Sequence, residues 1–137
     1  MDEIRTHRLL DRILCGEPVL VEEGRAEVTL PASRQMAADA PGLIHGGFVF
    51  GAADHAAMLA VNEPTVVLVR ADVRFVAPVA VGDRMVARAR VVEGAGDPSR
   101  PVVEAEVEVG GRTVFTGTFE CALPAHHVLE RDEDGPE

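Results

Sequence analysis

The chain has 137 residues, 47% of them apolar, and a formal charge of −10. This is the length of one domain with a sizeable core, and the composition excludes a disordered protein. The acidic balance argues against nucleic-acid binding, which needs a basic face, but leaves room for an anionic small ligand held by a few local arginines.

Residues 3–15 predict a helix. Ile4, Leu10, Ile13 and Leu14 give a partial apolar stripe, Gly16 suits its C-terminal end, and Pro18 blocks continuation. From 19 to 30 the pattern turns strand-like and ends in alternation, with Ala26, Val28 and Leu30 against Arg25, Glu27 and Thr29. Residues 31–43 are a connection in which Ser33 suits the cap of a short turn. A second helix is expected from about Gly46 to Asn62, stopped before Pro64.

Four strands follow. Val69, Ala71, Val73 and Phe75 alternate with polar residues, as do Met85, Ala87, Ala89 and Val91, then Val103, Ala105, Val107 and Val109, then Phe115, Gly117, Phe119 and Cys121. Turn signals separate them, the "GG" at 110–111 reading as a tight hairpin. One apolar and one polar face describe an antiparallel sheet packed on one side and wet on the other. With one long helix to cover it, the fold class is α+β, a sheet curled around a central helix. Arg70, Arg74, Arg84, Arg88 and Arg90 fall on the polar face with Glu104, Glu106 and Glu108, where cross-strand pairs account for them. The last eight residues, "ERDEDGPE", form an acidic tail expected to be disordered. The domain expectations are thus an N-terminal helix over 1–17, the main domain over 18–124, and the tail over 125–137.

The N-terminus lacks a long apolar stretch and no run of about 18 apolar residues occurs, so neither a signal peptide nor a membrane span is expected, and the cytoplasm is the expected location. Cys15 and Cys121 have no metal or redox spacing and read as reduced thiols. His126 and His127 read as solvated residues, and no metal-ligand constellation or cofactor signature is found.

The one anomaly is Asp54, a lone carboxylate inside the apolar run "GLIHGGFVFGAADHAAMLAVN". Burying an ionised carboxylate is costly unless it is paired, and burial with few partners makes it a stronger base. Gly46 and Gly47 stand where the helix begins, and a helix N-terminus offers free N–H groups that can stabilise a carbonyl oxygen as it turns negative. Gly47 and Asp54 are seven residues apart, hence on one helix face but about 10 Å apart along the axis. Two copies packed antiparallel about a twofold axis would set Gly47 of one against Asp54 of the other, with Gly51 at the midpoint. His45 suits either a substrate contact or the turn itself.

At these residues the chain resembles a family. "HGGFVFGAAD", "VRFVAPVAVGDRMVARARV" and "GRTVFTGTFE" resemble the hotdog-fold acyl-CoA thioesterases of the phenylacetic-acid-degradation (PaaI) type. His45, Gly46, Gly47, Asp54, Phe75 and Pro78 match its signature, and the likeness runs from about Val19 to Leu123. The resemblance implies a homodimer with shared sites, often paired into a tetramer, and an acyl-CoA substrate between subunits. It implies that the thioester carbonyl meets the N–H of Gly47 with His45 nearby, while Asp54 of the neighbouring chain is nucleophile or general base. Gly46, Phe48, Phe50 and Met58 become candidates for substrate binding, the last three equally suited to plain core. Many relatives carry Asn six positions before the His, where this chain has Asp39. The two strand segments also resemble the effector domain of the bacterial fatty-acid-biosynthesis repressor, a hotdog that binds malonyl-CoA without hydrolysing it and has Asn at the position of Asp54. A non-catalytic acyl-CoA-binding module is therefore the alternative.

Overall fold

A computed structural model describes residues 1–94 and 96–130. The acidic run expected to be disordered lies, from 131 onward, outside the described residues. The element order is α1 (Arg12–Cys15), β1 (Glu17–Glu22), β2 (Arg25–Pro31), a 3-10 turn (Arg34–Met36), α2 (Gly46–Val61), β3 (Val67–Phe75), β4 (Arg84–Val91), β5 (Val102–Val109) and β6 (Arg112–Ala122). All six strands form one antiparallel sheet in the order β1-β2-β4-β5-β6-β3. The architecture is α+β, one central helix packed against this sheet, as in the hotdog fold.

Period-two alternation places the core. Ala26, Val28 and Leu30 of β2, Met85, Ala87 and Ala89 of β4, and Val103, Ala105 and Val107 of β5 are buried. Against them lies α2, whose buried face is largely alanine: Ala52, Ala53, Ala56, Ala57 and Ala60. Small side chains let the helix come close to the sheet, and Met58 and Leu59 fill what remains. A bulge between Val107 and Glu108 breaks the register opposite β6, so that Val114 and Phe115 are both buried in succession. Gly110 and Gly111 have φ of 57° and 78°, the left-handed pair a two-residue hairpin turn requires.

The polar face carries the expected charge pairs. Arg90 meets Glu104 at 3.3 Å, Arg70 meets Glu120 at 3.5 Å, and Arg88 bridges Glu27 and Glu108. Arg74 and Arg84 make no such pair among the described residues.

Three expectations are corrected. The helix over 3–15 is confined to one turn, Arg12–Cys15, started by Asp11, whose carboxylate accepts from the N–H groups of Ile13 and Leu14. Its apolar stripe is split: Ile4 and Leu14 pack against the core, whereas Ile13 is 69% exposed. The run from 19 to 30 is two strands, turned at Glu23–Gly24, where Gly24 has φ of 76°. Ser33 stands at the start of the 3-10 turn, but its hydroxyl makes no capping bond.

Strand β3 departs from its alternation in another way. None of its residues is buried, and Val69 and Phe75 are both more than half exposed. It is an edge strand, bonded to β6 on one side only. No helix of the described residues is long and apolar enough to cross a membrane.

Candidate active site

The start of α2 is built by the connection before it. Asp39 holds a tight turn, its Oδ1 accepting from the N–H groups of Gly42 and Leu43 at 3.0 Å each. Ile44 then donates to the carbonyl of Val79, and His45 to that of Met36 at 2.9 Å. His45 occupies the helix cap position in extended conformation, with no side-chain capping bond, so the first N–H groups of α2 keep no side-chain partner. Asp39 thereby has a structural task in the turn that delivers His45.

His45, Gly46 and Gly47 are brought together with Phe75. A Cβ on Gly47 would lie 2.9 Å from the imidazole of His45, and a Cβ on Gly46 would lie 3.0 Å from the ring of Phe75. Only glycine admits both rings this close to the helix start. Phe48 packs edge-on to His45, with ring centroids 6.1 Å apart. Phe50 packs on Phe115 and Phe119, and Met58 has no exposed surface. Met58 belongs to the protomer's core, whereas Phe50 is half-buried and stands one turn before Asp54.

Asp54 lies on the same face as Gly47. Along α2, Gly47 is exposed and Gly51 and Asp54 are half-buried, while Ala52, Ala53 and residues 55–60 are buried. A Cβ on Gly51 would meet nothing within 4 Å. The sheet thus leaves one stripe of the helix open. On that stripe Asp54 has a carboxylate oxygen, Oδ1, buried without any hydrogen-bond partner. Desolvation pushes its pKa up to about 6. Two thiols feel its charge. Burial pushes Cys121 on β6 up to about 12, with the charge of Asp54 adding to the effect. Cys15 at the end of α1 is raised by burial, then by Asp11 and Asp54. His55, next in sequence, is buried on the α1 side and held neutral by burial.

Within one protomer the helix keeps Gly47 and Asp54 about two turns, roughly 10 Å, apart. Three concavities of about 630, 1260 and 380 Å³ lie elsewhere, and none is lined by His45, Gly47 or Asp54. The first is a groove across the Arg–Glu pairs of the sheet's polar face. Among the described residues no three His, Cys, Asp or Glu side chains are arranged to hold a metal ion. Reading the sequence missed that Cys15 and Cys121 feel the charge of Asp54. Their neighbourhood to Asp54 joins elements far apart in the chain, and no local spacing announces it.

One helix packed against a six-stranded antiparallel sheet, with a lone acid and a Gly-Gly start on the helix's open stripe, defines a hotdog protein. Known proteins agree. Residues 41–97 match the Thioesterase superfamily. An uncharacterized protein of Pyrococcus horikoshii superposes with a TM-score of 0.90 at 51% identity, over 94% of this chain and 98% of that one. The E. coli PaaI protein of the phenylacetic acid degradation operon superposes with a TM-score of 0.69 at 26% identity, over 77% of this chain and 81% of that one. A methylthioribose-1-phosphate isomerase of Aquifex aeolicus is 50% identical over 85% of this chain, a match covering 25% of that protein. Transcription factor FapR of Bacillus cereus is 36% identical over 64% of this chain and 45% of its own length. The chain therefore spans less than half the length of these two curated relatives. It belongs to the thioesterase (hotdog) superfamily.

Proposed function

We propose that the protein is an acyl-CoA thioesterase working as a homodimer, each site pooling Asp54 of one protomer with the helix start of the other. The observation that carries this reading is Asp54 itself, a carboxylate with an unpartnered buried oxygen on the same open stripe as exposed Gly47. A pKa near 6 leaves it largely ionised at neutral pH yet basic enough to take a proton. The N–H of the partner's Gly47, at a positive helix end, receives the thioester carbonyl oxygen, and His45 lies beside it.

In the general-base form, water adds to the carbonyl carbon and gives a proton to Asp54. The C–S bond then breaks, the thiolate of CoA leaves, and the proton on Asp54 passes to it. In the nucleophile form, Asp54 attacks the carbonyl carbon, expels the thiolate, and water hydrolyses the mixed anhydride. Either route yields free acid and CoA. Gly46 and Phe48, beside His45, are the site candidates that stay near this helix start.

A second reading, a non-catalytic acyl-CoA-binding module, is favoured by one observation: the two curated relatives are a transcription factor and an isomerase, neither named for thioester hydrolysis. One experiment separates the two. Thiol release is measured across a panel of acyl-CoA thioesters for wild type and Asp54→Asn, with binding measured in parallel. Loss of turnover by roughly 10²–10⁴-fold with binding kept supports the enzyme. Tight binding by wild type with no release at any chain length supports the binding module.

A further inference from the structure

Helix α2 ends at Asn62, in the left-handed region with φ of 50° and ψ of 40°. Its side-chain amide uses both ends. Nδ2 donates to the carbonyl of Glu3 and Oδ1 accepts from the N–H of Arg5, each at 2.8 Å. Residue 62 thus grips the backbone of the N-terminal segment as a neighbouring strand would. Arg5 pairs with Glu63 at 3.3 Å alongside, and the N–H of Asp2 donates to Val21 of β1 at 2.8 Å.

A second grip lies two turns earlier on the same flank of the helix. Nδ1 of buried His55 donates to the carbonyl of Cys15 at 3.1 Å. Between the two grips Thr6 is buried and α1 packs on α2 and β2. Gly16 closes the segment against β2 so tightly that a Cβ there would fall 2.2 Å from Val28 Cγ1. Residues 2–16 are therefore fastened along one flank of α2, with Cys15 beside the residue that follows Asp54.

We propose that Asn62 is a positioning residue for Asp54: by clasping the N-terminal segment it seats α1 and Cys15 against the helix and keeps water off the Asp54 carboxylate on that side. This deepens the reading of Asp54 as the reacting group and rests on it. The titratable groups that feel the charge of Asp54 are Cys15 from α1 and Cys121 from β6. Asp11 acts on Cys15, and His7, Arg12 and Glu17 act on His55 behind it. Among the described residues no charged partner holds the carboxylate, so its exposure to water governs its titration.

The test uses Asn62→Gly and Arg5→Pro in the full chain. Glycine suits the left-handed helix end, so the first variant removes both clasp bonds and spares α2. The second removes the donated N–H from the other side. Amide exchange of residues 2–16 reports release of the segment, and ¹³C NMR of the Asp54 carboxyl, assigned with Asp54→Asn, reports its titration. The expected result is fast exchange over 2–16 and a midpoint that falls by about one pH unit or more toward the ordinary carboxylate range, with the acid limb of kcat/KM moving alongside. A segment that stays protected, or one that is freed while the midpoint holds, overturns the proposal. The NMR titration needs no substrate: if wild type hydrolyses no thioester, the functional reading fails and the clasp is still decided.

Discussion

Gly47 and Asp54 face the same way from α2, two turns apart, and Gly51 stands between them with open space where a side chain would begin. Mid-helix glycine costs roughly 0.5–1 kcal/mol against alanine, so its presence in an open position calls for something that must come close. If that is the same helix of a second copy, Gly51→Leu leaves the protomer folded but forces the copies apart. Circular dichroism is expected to be unchanged, while sedimentation shows loss of dimer and thiol release falls at least about tenfold. A dimer as tight as wild type would remove α2 from the interface.

Asp54 also couples stability to pH. Its folded pKa is raised from 3.8 to about 6. A raised folded pKa contributes stability that is complete below the unfolded value and lost as pH rises through the folded one. Asp54→Asn is therefore expected to match wild type below about pH 4 and to be more stable above about pH 6, by on the order of 1–2 kcal/mol after allowance for partial exposure. Burial lowers the pKa of His7 and of His55, which destabilises the fold on the acid side in both proteins and cancels in the difference. Urea unfolding of the pair across this pH range checks it.

Two glycines should behave in opposite ways. A Cβ on Gly47 meets only the exposed, movable ring of His45, whereas a Cβ on Gly117 meets Val73 Cγ1 at 2.7 Å and Phe119 at 3.0 Å, between β3 and β6. Gly47→Ala is expected to displace His45 and lower turnover about tenfold or more with stability nearly kept. Gly117→Ala is expected to cost about 1–3 kcal/mol by overpacking. Thermal melts and thiol release on both variants measure the contrast.

The cysteines give a simpler check. Cys121 is buried and its thiol is pushed up to about 12, so at pH 8 almost none is thiolate. It is expected to resist iodoacetamide in the folded protein and to react once urea unfolds it. Mass spectrometry of the labelled peptides follows this directly, and labelling of native Cys121 within minutes would contradict the packing of β6 on α2.

Much of this was legible in the chain because the central strands alternate cleanly and α2 is bounded by Gly-Gly and Asn-Glu-Pro. The alternating runs lie within strands β4, β5 and β6, and Gly47, Gly51 and Asp54 share a face as their spacing requires. The N-terminal segment was not legible. Its leucines suggest a helix, yet its fastening comes from Asn62, 59 residues from Glu3, and no local pattern carries that bond. Strand β3 misleads in a different way. A bulge at Val69 shifts its alternation, and at the sheet edge it lies away from α2, which packs mainly on β2, β4 and β5.

The sheet order also sets a timetable. The hairpins β1–β2 and β5–β6 each close over a few residues, so they form early at small entropic cost. Strand β3 pairs with β6 from Phe75–Phe115 out to Val67–Ala122, and must wait until the intervening chain has been laid down. Until it arrives, β6 offers an unoccupied edge to any β3 that is near, its own or that of another nascent chain. Because Phe75 comes beside Gly46 on this strand, the helix start acquires its ring neighbour through a long-range pairing, and a high concentration of newly made chains raises the chance of exchanged strands.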